Sequence, residues 1–161
     1  MTVSIRQAGI DDIPILVDLI HKAFQPVADR FGLTTSNCPK HPSNCKPYWL
    51  EKAFEKGIVF YILESDQSAC GCVALENAGD KYYLERLAVL PSLQGQGFGK
   101  QLVQHCFDTV LANGKSRIEI GIIRKQTDLY EWYLHQGFNV IRHAVFEHLP
   151  FEVTFMGIDL D

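Results

Sequence analysis

Residues Leu87 to Lys100 read Leu-Ala-Val-Leu-Pro-Ser-Leu-Gln-Gly-Gln-Gly-Phe-Gly-Lys, which sets an apolar strand, a proline stop and three alternating glycines before a helix. That order fits a backbone cradle for a phosphate group, although glycine-rich turns after strands are common. Gly95, Gly97 and Gly99 remove Cβ where a ligand would come close, and they allow positive φ so that successive N–H groups can face one anion. The apolar helix Gln101 to Leu111 adds unpaired N–H donors and the positive end of its dipole, so the unit suits a phosphate group. The spacing narrows the ligand. A Walker loop needs GxxxxGK[ST]; Gly95 to Gly99 is one residue too short, and Gln101 stands where the magnesium-binding hydroxyl belongs. A dinucleotide fingerprint needs GxGxxG and an acidic residue ending the next strand. Here the spacing is GxGxG, and the strand near Arg117 to Gly121 follows a long helix and ends in glycine.

The rest of the chain supplies alternating segments around this unit. Val3 to Ala8 alternates as a strand, and Asp11 caps a helix carrying Ile13, Leu16, Val17, Ile20 and Phe24 at helical spacing, with Pro14 in its first turn. Pro26 to Lys46 reads as irregular, punctuated by proline, asparagine, serine and threonine. A short helix follows from Pro47 to Gly57. The strands Ile58 to Glu64, Ala69 to Glu76 and Lys81 to Val89 are joined by turns short enough to imply an antiparallel meander. After a helix from Gly97 to Asn113, the strand Arg117 to Gly121 must run parallel to its predecessor. A helix Gln126 to Gln136 and strands Phe138 to Phe146 and Glu152 to Ile158 complete the chain. The expected fold class is α/β: one domain over residues 1–161, with a mixed, mostly antiparallel sheet of six or seven strands and helices on both faces.

Composition narrows the function classes. The 161 residues are 47% apolar and 21% charged, which suits a globular domain with its own core. Fifteen basic against nineteen acidic residues, with no basic run, argues against a nucleic-acid partner. The segment from Met1 to Gly9 lacks a leader's apolar stretch, and no segment approaches the ~20 apolar residues of a membrane span, so a cytoplasmic location without membrane attachment is expected. Five cysteines without framework spacing read as reduced thiols. Cys70 and Cys72 flank Gly71 on a strand, where alternation places both on one face of the core, and Cys106 reads as buried in its helix.

The pattern QxxGxG, as Gln94-Gly95-Gln96-Gly97-Phe98-Gly99, preceded by Leu87-Ala-Val-Leu-Pro, resembles the acetyl-CoA-binding motif of the GCN5-related N-acetyltransferase (GNAT) family. Glu85-Arg-Leu-Ala-Val-Leu-Pro resembles that family's central strand. Tyr130-Glu-Trp-Tyr-Leu-His-Gln-Gly-Phe138 resembles its later helix ending in YxxxGF, aligned at Tyr133, Gly137 and Phe138. With their flanking elements the motifs cover roughly two thirds of the chain. The resemblance implies transfer of an acetyl group from acetyl-CoA to a primary amine by direct attack in a ternary complex. The acceptor is then a small-molecule or peptide amine, and a homodimer is an option.

Such a site needs a pyrophosphate anchor, a pantetheine channel, an oxyanion donor, a base and an acid. The anchor is the N–H array of Gln94, Gly95, Gln96, Gly97, Phe98, Gly99 and Lys100, with Lys100 adding charge or simply solvated on the first turn. The resemblance implies that Leu87, Ala88 and Val89 pair with pantetheine as another strand would, that Gln126 takes the cofactor-facing place where the family often has asparagine, and that Tyr133 protonates the departing thiolate. Tyr133 also fits a core aromatic, and Tyr130 is its rival on the same helical face. Glu85 is the candidate base. Alternation sets it on the face of Leu87 and Val89, either paired with Arg86 or Arg117 or standing as a site group with a raised pKa.

The stretch Cys38-Pro-Lys-His41-Pro-Ser-Asn-Cys45 brings two thiols and an imidazole together, but CxxH and HxxxC supply three ligands and no fourth is near, so no metal is expected. The resemblance implies instead that Cys38, His41 and Cys45 belong to a loop lining the acceptor side. From another class, an acyl-CoA-binding sensor without turnover would keep the same glycine cradle, and a zinc-dependent loop switch would need metal at Cys38.

Overall fold

A computed structural model describes residues 2–161; Met1, where the segment read for a leader begins, lies outside them. The strands are β1 (Val3–Gln7), β2 (Val59–Ser65), β3 (Ser68–Asn77), β4 (Tyr82–Val89), β5 (Arg117–Ile123), β6 (Asn139–Ala144) and β7 (Val153–Asp159). The helices are α1 (Ile13–Phe31), α2 (Pro47–Glu55), α3 (Phe98–Ala112) and α4 (Thr127–His135). One sheet holds all seven strands in the order β1-β2-β3-β4-β5-β7-β6. Its pairs are antiparallel except β4 with β5, which the α3 crossover makes parallel.

Each face buries a separate core. Phe98, Leu102, Val103, Cys106 and Val110 of α3 and Tyr133 of α4 pack on Val73, Leu75, Tyr82 and Leu84. Leu16, Leu19 and Ile20 of α1 and Leu50 and Ala53 of α2 pack on Phe60, Ile62, Cys72 and Ala74. Strand alternation therefore assigns each side chain to one helix layer, unless a bulge intervenes.

Three features depart from the pattern in the sequence. Helix α1 runs on through Pro26 to Phe31, where irregular chain was expected. A proline removes one helical hydrogen bond, but Ala28 is buried beyond it with Val27 and Phe31 packed alongside, and Gly32, at φ 64°, closes the helix by donating to the Ala28 carbonyl. In β3 the pairing slips between Leu63↔Gly71 and Glu64↔Ala69, leaving Cys70 as an extra residue. Cys70 and Cys72 consequently sit in opposite cores, not on one face. In β4, Glu85 pairs with Ala74 and Ala88 with Cys72, so Arg86 and Leu87 share one partner position. Arg86 absorbs that bulge at φ 50°, a left-handed conformation that costs a non-glycine residue about 1–2 kcal/mol.

Candidate active site

The sheet opens where β4 meets β5. Among the described residues the two strands pair only at Tyr82↔Ile118 and Tyr83↔Glu119, whereas β5 stays paired with β7 to Ile123↔Val153. The rest of β4 thus has no ladder partner toward β5. Beside that edge lies a groove of about 530 Å³ between the glycine loop and α4. Leu87, Val89, Gln94, Gly95, Gly97, Phe98, Gly99, Lys100 and Gln126 line it. Two expected residues do not. Ala88 points into the opposite core, because alternation turns it away from Leu87 and Val89, and exposed Gln96 lies outside the lining.

The loop has the conformation the glycines suggested. Gly95 and Gly97 sit at φ 85° and 84°, and a Cβ at either would meet nothing within 4 Å, so open space lies in front of both. Gly99 serves packing instead: a Cβ there would stand 3.3 Å from the Trp132 ring, so the small residue lets α3 approach α4. Intrahelical bonding of α3 begins with Gln101 N–H donating to the Gly97 carbonyl at 3.0 Å, which leaves the N–H groups of Phe98, Gly99 and Lys100 as the helix's free first-turn donors. The Gln94 amide ties the loop to the strand, donating to the Val89 carbonyl at 3.4 Å.

Leu93, Asp128, Leu129, Trp132 and Gln136 also line the groove and were missed. The sequence did carry a signal: Leu129, Trp132 and Gln136 recur at the spacing of one helical face. Asp128 bonds Arg30 at 2.8 Å, joining the end of α1 to the start of α4, and that hydrogen bond holds its carboxyl below the usual carboxylate range.

Glu85 is on the other side of the sheet. The bulge at Arg86 reverses the alternation, so Glu85 faces the α1 and α2 layer while Leu87 and Val89 face α3 and α4, contrary to the expected shared face. Glu85 lines a second groove of about 280 Å³ with Glu76, Tyr83, Glu119, Gly121 and Phe155. Burial, and secondarily the neighbouring Glu76, push its carboxyl above the ordinary value. Arg86 Nη1 is 3.8 Å from Glu85 Oε2, beyond hydrogen-bond reach; Arg117 pairs with Glu119 and Asp159 instead. The two grooves thus flank the opening of the sheet from opposite faces.

Tyr133 is only 4% exposed and lies within the α3–α4 core, its ring edge-on to Trp132 at 5.0 Å and to Phe138 at 5.3 Å. Burial pushes its phenol above the ordinary value, and the groove wall on α4 is formed by Leu129 and Trp132. Tyr130 is partly buried against the same core. Cys38, His41 and Cys45 also turn inward. His41 Nδ1 lies 2.7 Å from Ser43 Oγ and accepts from the Ser43 N–H, closing a turn over Pro42–Asn44. Among the described residues no three His, Cys, Asp or Glu side chains are grouped to hold a metal ion. All five cysteines are free and buried, and desolvation pushes the Cys72 and Cys106 thiols up to about 12.

A glycine-rich loop at a helix start, set beside the free end of a parted sheet, is the architecture of an acyl-CoA-dependent transferase. The model of the acetyltransferase (GNAT) family matches residues 27–138, and the chain belongs to that family. No curated protein matches it by sequence. Among solved structures, the ribosomal-protein-S18-alanine N-acetyltransferase of Escherichia coli superposes with a TM-score of 0.79 at 15% identity, covering 99% of this chain and 95% of that one. The PaiA N-acetyltransferase of Thermoplasma acidophilum, in complex with coenzyme A, gives 0.75 at 17% identity, with 99% of each chain covered. The N-acetylglutamate synthase of Neisseria gonorrhoeae, complexed with coenzyme A and N-acetyl-glutamate, gives 0.70 at 26% identity, covering all of this chain and 36% of that one. Among the described residues no helix is long and apolar enough to cross a membrane.

Proposed function

We propose that the protein transfers an acetyl group from acetyl-CoA to a primary amine by direct attack in a ternary complex. The observation that carries this reading is the donor groove: glycine-loop amides and a helix start at one end, an unpaired strand edge along its side. The open space before Gly95 and Gly97 fits a pyrophosphate against the first-turn amides of α3, with Lys100 adding charge. The free edge from Leu87 to Val89 fits pantetheine's amides as an added strand would. Acetyl-CoA supplies the activated acyl group as a thioester. An N–H of the strand end near Val89 is the donor for the developing oxyanion. The N–C bond forms first, placing negative charge on the carbonyl oxygen, and the C–S bond breaks as that oxyanion collapses. Glu85 takes one amine proton from the opposite face, and Tyr133 gives its proton to the departing thiolate.

The acceptor is a small-molecule or peptide amine entering from the second groove. Free, buried thiols fit the reducing cytoplasm. The edge strand β6, which exposes Val140 and Ile141, is the surface a homodimer would use, and sedimentation tests it. One observation favours a second reading, an acyl-CoA sensor without turnover: Tyr133 is buried away from the groove lining. Thiol release separates the two. A catalyst loses rate in Tyr133→Phe at saturating acetyl-CoA with CoA affinity kept, whereas a sensor shows no amine-dependent release in either form.

A further inference from the structure

The β4 bulge gives Arg86 a place that ordinary strand geometry would deny it. Neighbours on a strand face opposite sides, yet Glu85 stands opposite Ala74 on the α1 and α2 face, and the Arg86 guanidinium lies 5.8 Å over the Phe60 ring of that same face. The Arg86 side chain is three quarters buried, at 25% exposure. Its Nη1 is buried outright and has no hydrogen-bond partner among the described residues. The nearest acid, Glu85, lies 3.8 Å away. Other acids on this face have their own partners: Glu76 is 3.4 Å from Lys56, and Glu119 is 3.3 Å from Lys81 and 3.2 Å from Arg117.

A guanidinium withdrawn from water is stable when its donors are bonded, and its planar fork matches a carboxylate through two parallel hydrogen bonds. Glu85 is the complementary half, a carboxylate able to accept from an amine. The protein therefore holds an anion in the lining of the second groove and, 3.8 Å from it and outside that lining, an incompletely bonded cation. A free α-amino acid presents the reverse pair at a similar separation, since one carbon joins its amine to its carboxylate and sets N and O about 3 Å apart. A peptide N-terminus, an amine without an acid, or a lysine side chain lacks that adjacent carboxylate.

Resting on the acetyltransferase reading above, we propose that the acceptor is a free α-amino acid, with its carboxylate bound by Arg86 and its amine held at Glu85. Arg86 is then the residue that sets specificity for the acceptor's carboxylate, and the pocket walls select the side chain.

The test is acetyl-CoA-dependent thiol release by the native protein with matched pairs of L-amino acids and their amides. The acid of a pair should exceed its amide in kcat/KM by about 100-fold, the discrimination typical of a site built around a charged hydrogen-bonding group. Arg86→Gln should raise the KM for the acid by about as much, erase the preference for acid over amide, and leave CoA affinity intact. Arg86→Lys, which keeps the charge without the fork, should fall between. Equal turnover of acid and amide by the native protein overturns the proposal and leaves the acetyltransferase reading standing. A preference for the acid that survives in Arg86→Gln also overturns it, because Arg86 is then only structural. Absence of thiol release with every amine overturns both readings.

Discussion

Replacing Gly97 with alanine separates the conformational need for glycine from the ligand's need for space. Gly97 caps α3 at φ 84° and ψ 7°, and a Cβ there meets no protein atom within 4 Å. The protein's own loss is therefore conformational, about 1–2 kcal/mol for an L-residue held in the left-handed region. For a chain of this size each kcal/mol lowers Tm by about 2–4 °C. Gly114, just past the other end of α3, is a matched control: its φ is 75°, and a Cβ there also meets nothing within 4 Å. Gly114→Ala should lose comparable stability. The variants should part in calorimetric titration with CoA well below Tm. Gly97→Ala should weaken binding at least about tenfold, or about 1.4 kcal/mol, because its methyl group projects where phosphates approach the loop amides. Gly114→Ala should bind as the native protein does. Undiminished CoA binding by Gly97→Ala, or an equal loss in Gly114→Ala, would refute the cradle.

Gly71→Ala should be more damaging than either, by about 1–3 kcal/mol in urea titration, because its Cβ would stand 2.6 Å from the Ala88 backbone oxygen and neither strand can yield cheaply. Glu85 should leave a pH signature in stability. Its raised folded pKa means that its contribution is whole below the ordinary value of 4.5 and is lost as pH rises through the raised value. Glu85→Gln should thus exceed the native Tm at neutral pH, with the gap closing below that ordinary value, and a constant gap would remove burial as the cause. The same substitution should abolish the acid limb of the acetyl-transfer pH profile. Thiol-specific reagent should label Cys72 and Cys106 only after unfolding, since both thiols are pushed up to about 12; rapid labelling of the native protein would contradict their burial.

Periodicity and turn chemistry carried most of the fold into the sequence. The meander, the parallel crossover through α3 and the helices on both faces follow from segment lengths and short connections, and the glycine loop follows from its own residues. The bulges at Cys70 and Arg86 did not show, because an extra strand residue has no local mark. It is set by how two strands and their helix layers settle against each other. The slip at Arg86 set Glu85 on the face opposite Leu87 and Val89, with its carboxylate 3.8 Å from the Arg86 guanidinium. Pro26 misled for a related reason: burial of Ala28 outweighs a lost helical hydrogen bond, and that burial depends on residues distant in sequence, such as Ile123 and Phe151. The inward turn of Cys38, His41 and Cys45 was equally hidden, since a loop rich in proline and asparagine reads as exposed until its neighbours are known.

Amine-dependent release of CoA thiol from acetyl-CoA, followed with identification of the N-acetylated product, tests the central claim most directly. Turnover that saturates in both acetyl-CoA and amine, and slows in Tyr133→Phe with CoA binding retained, is the predicted result. CoA binding through the glycine loop with thiol release that stays at the buffer rate for every amine would contradict catalysis and make the protein a sensor of acyl-CoA.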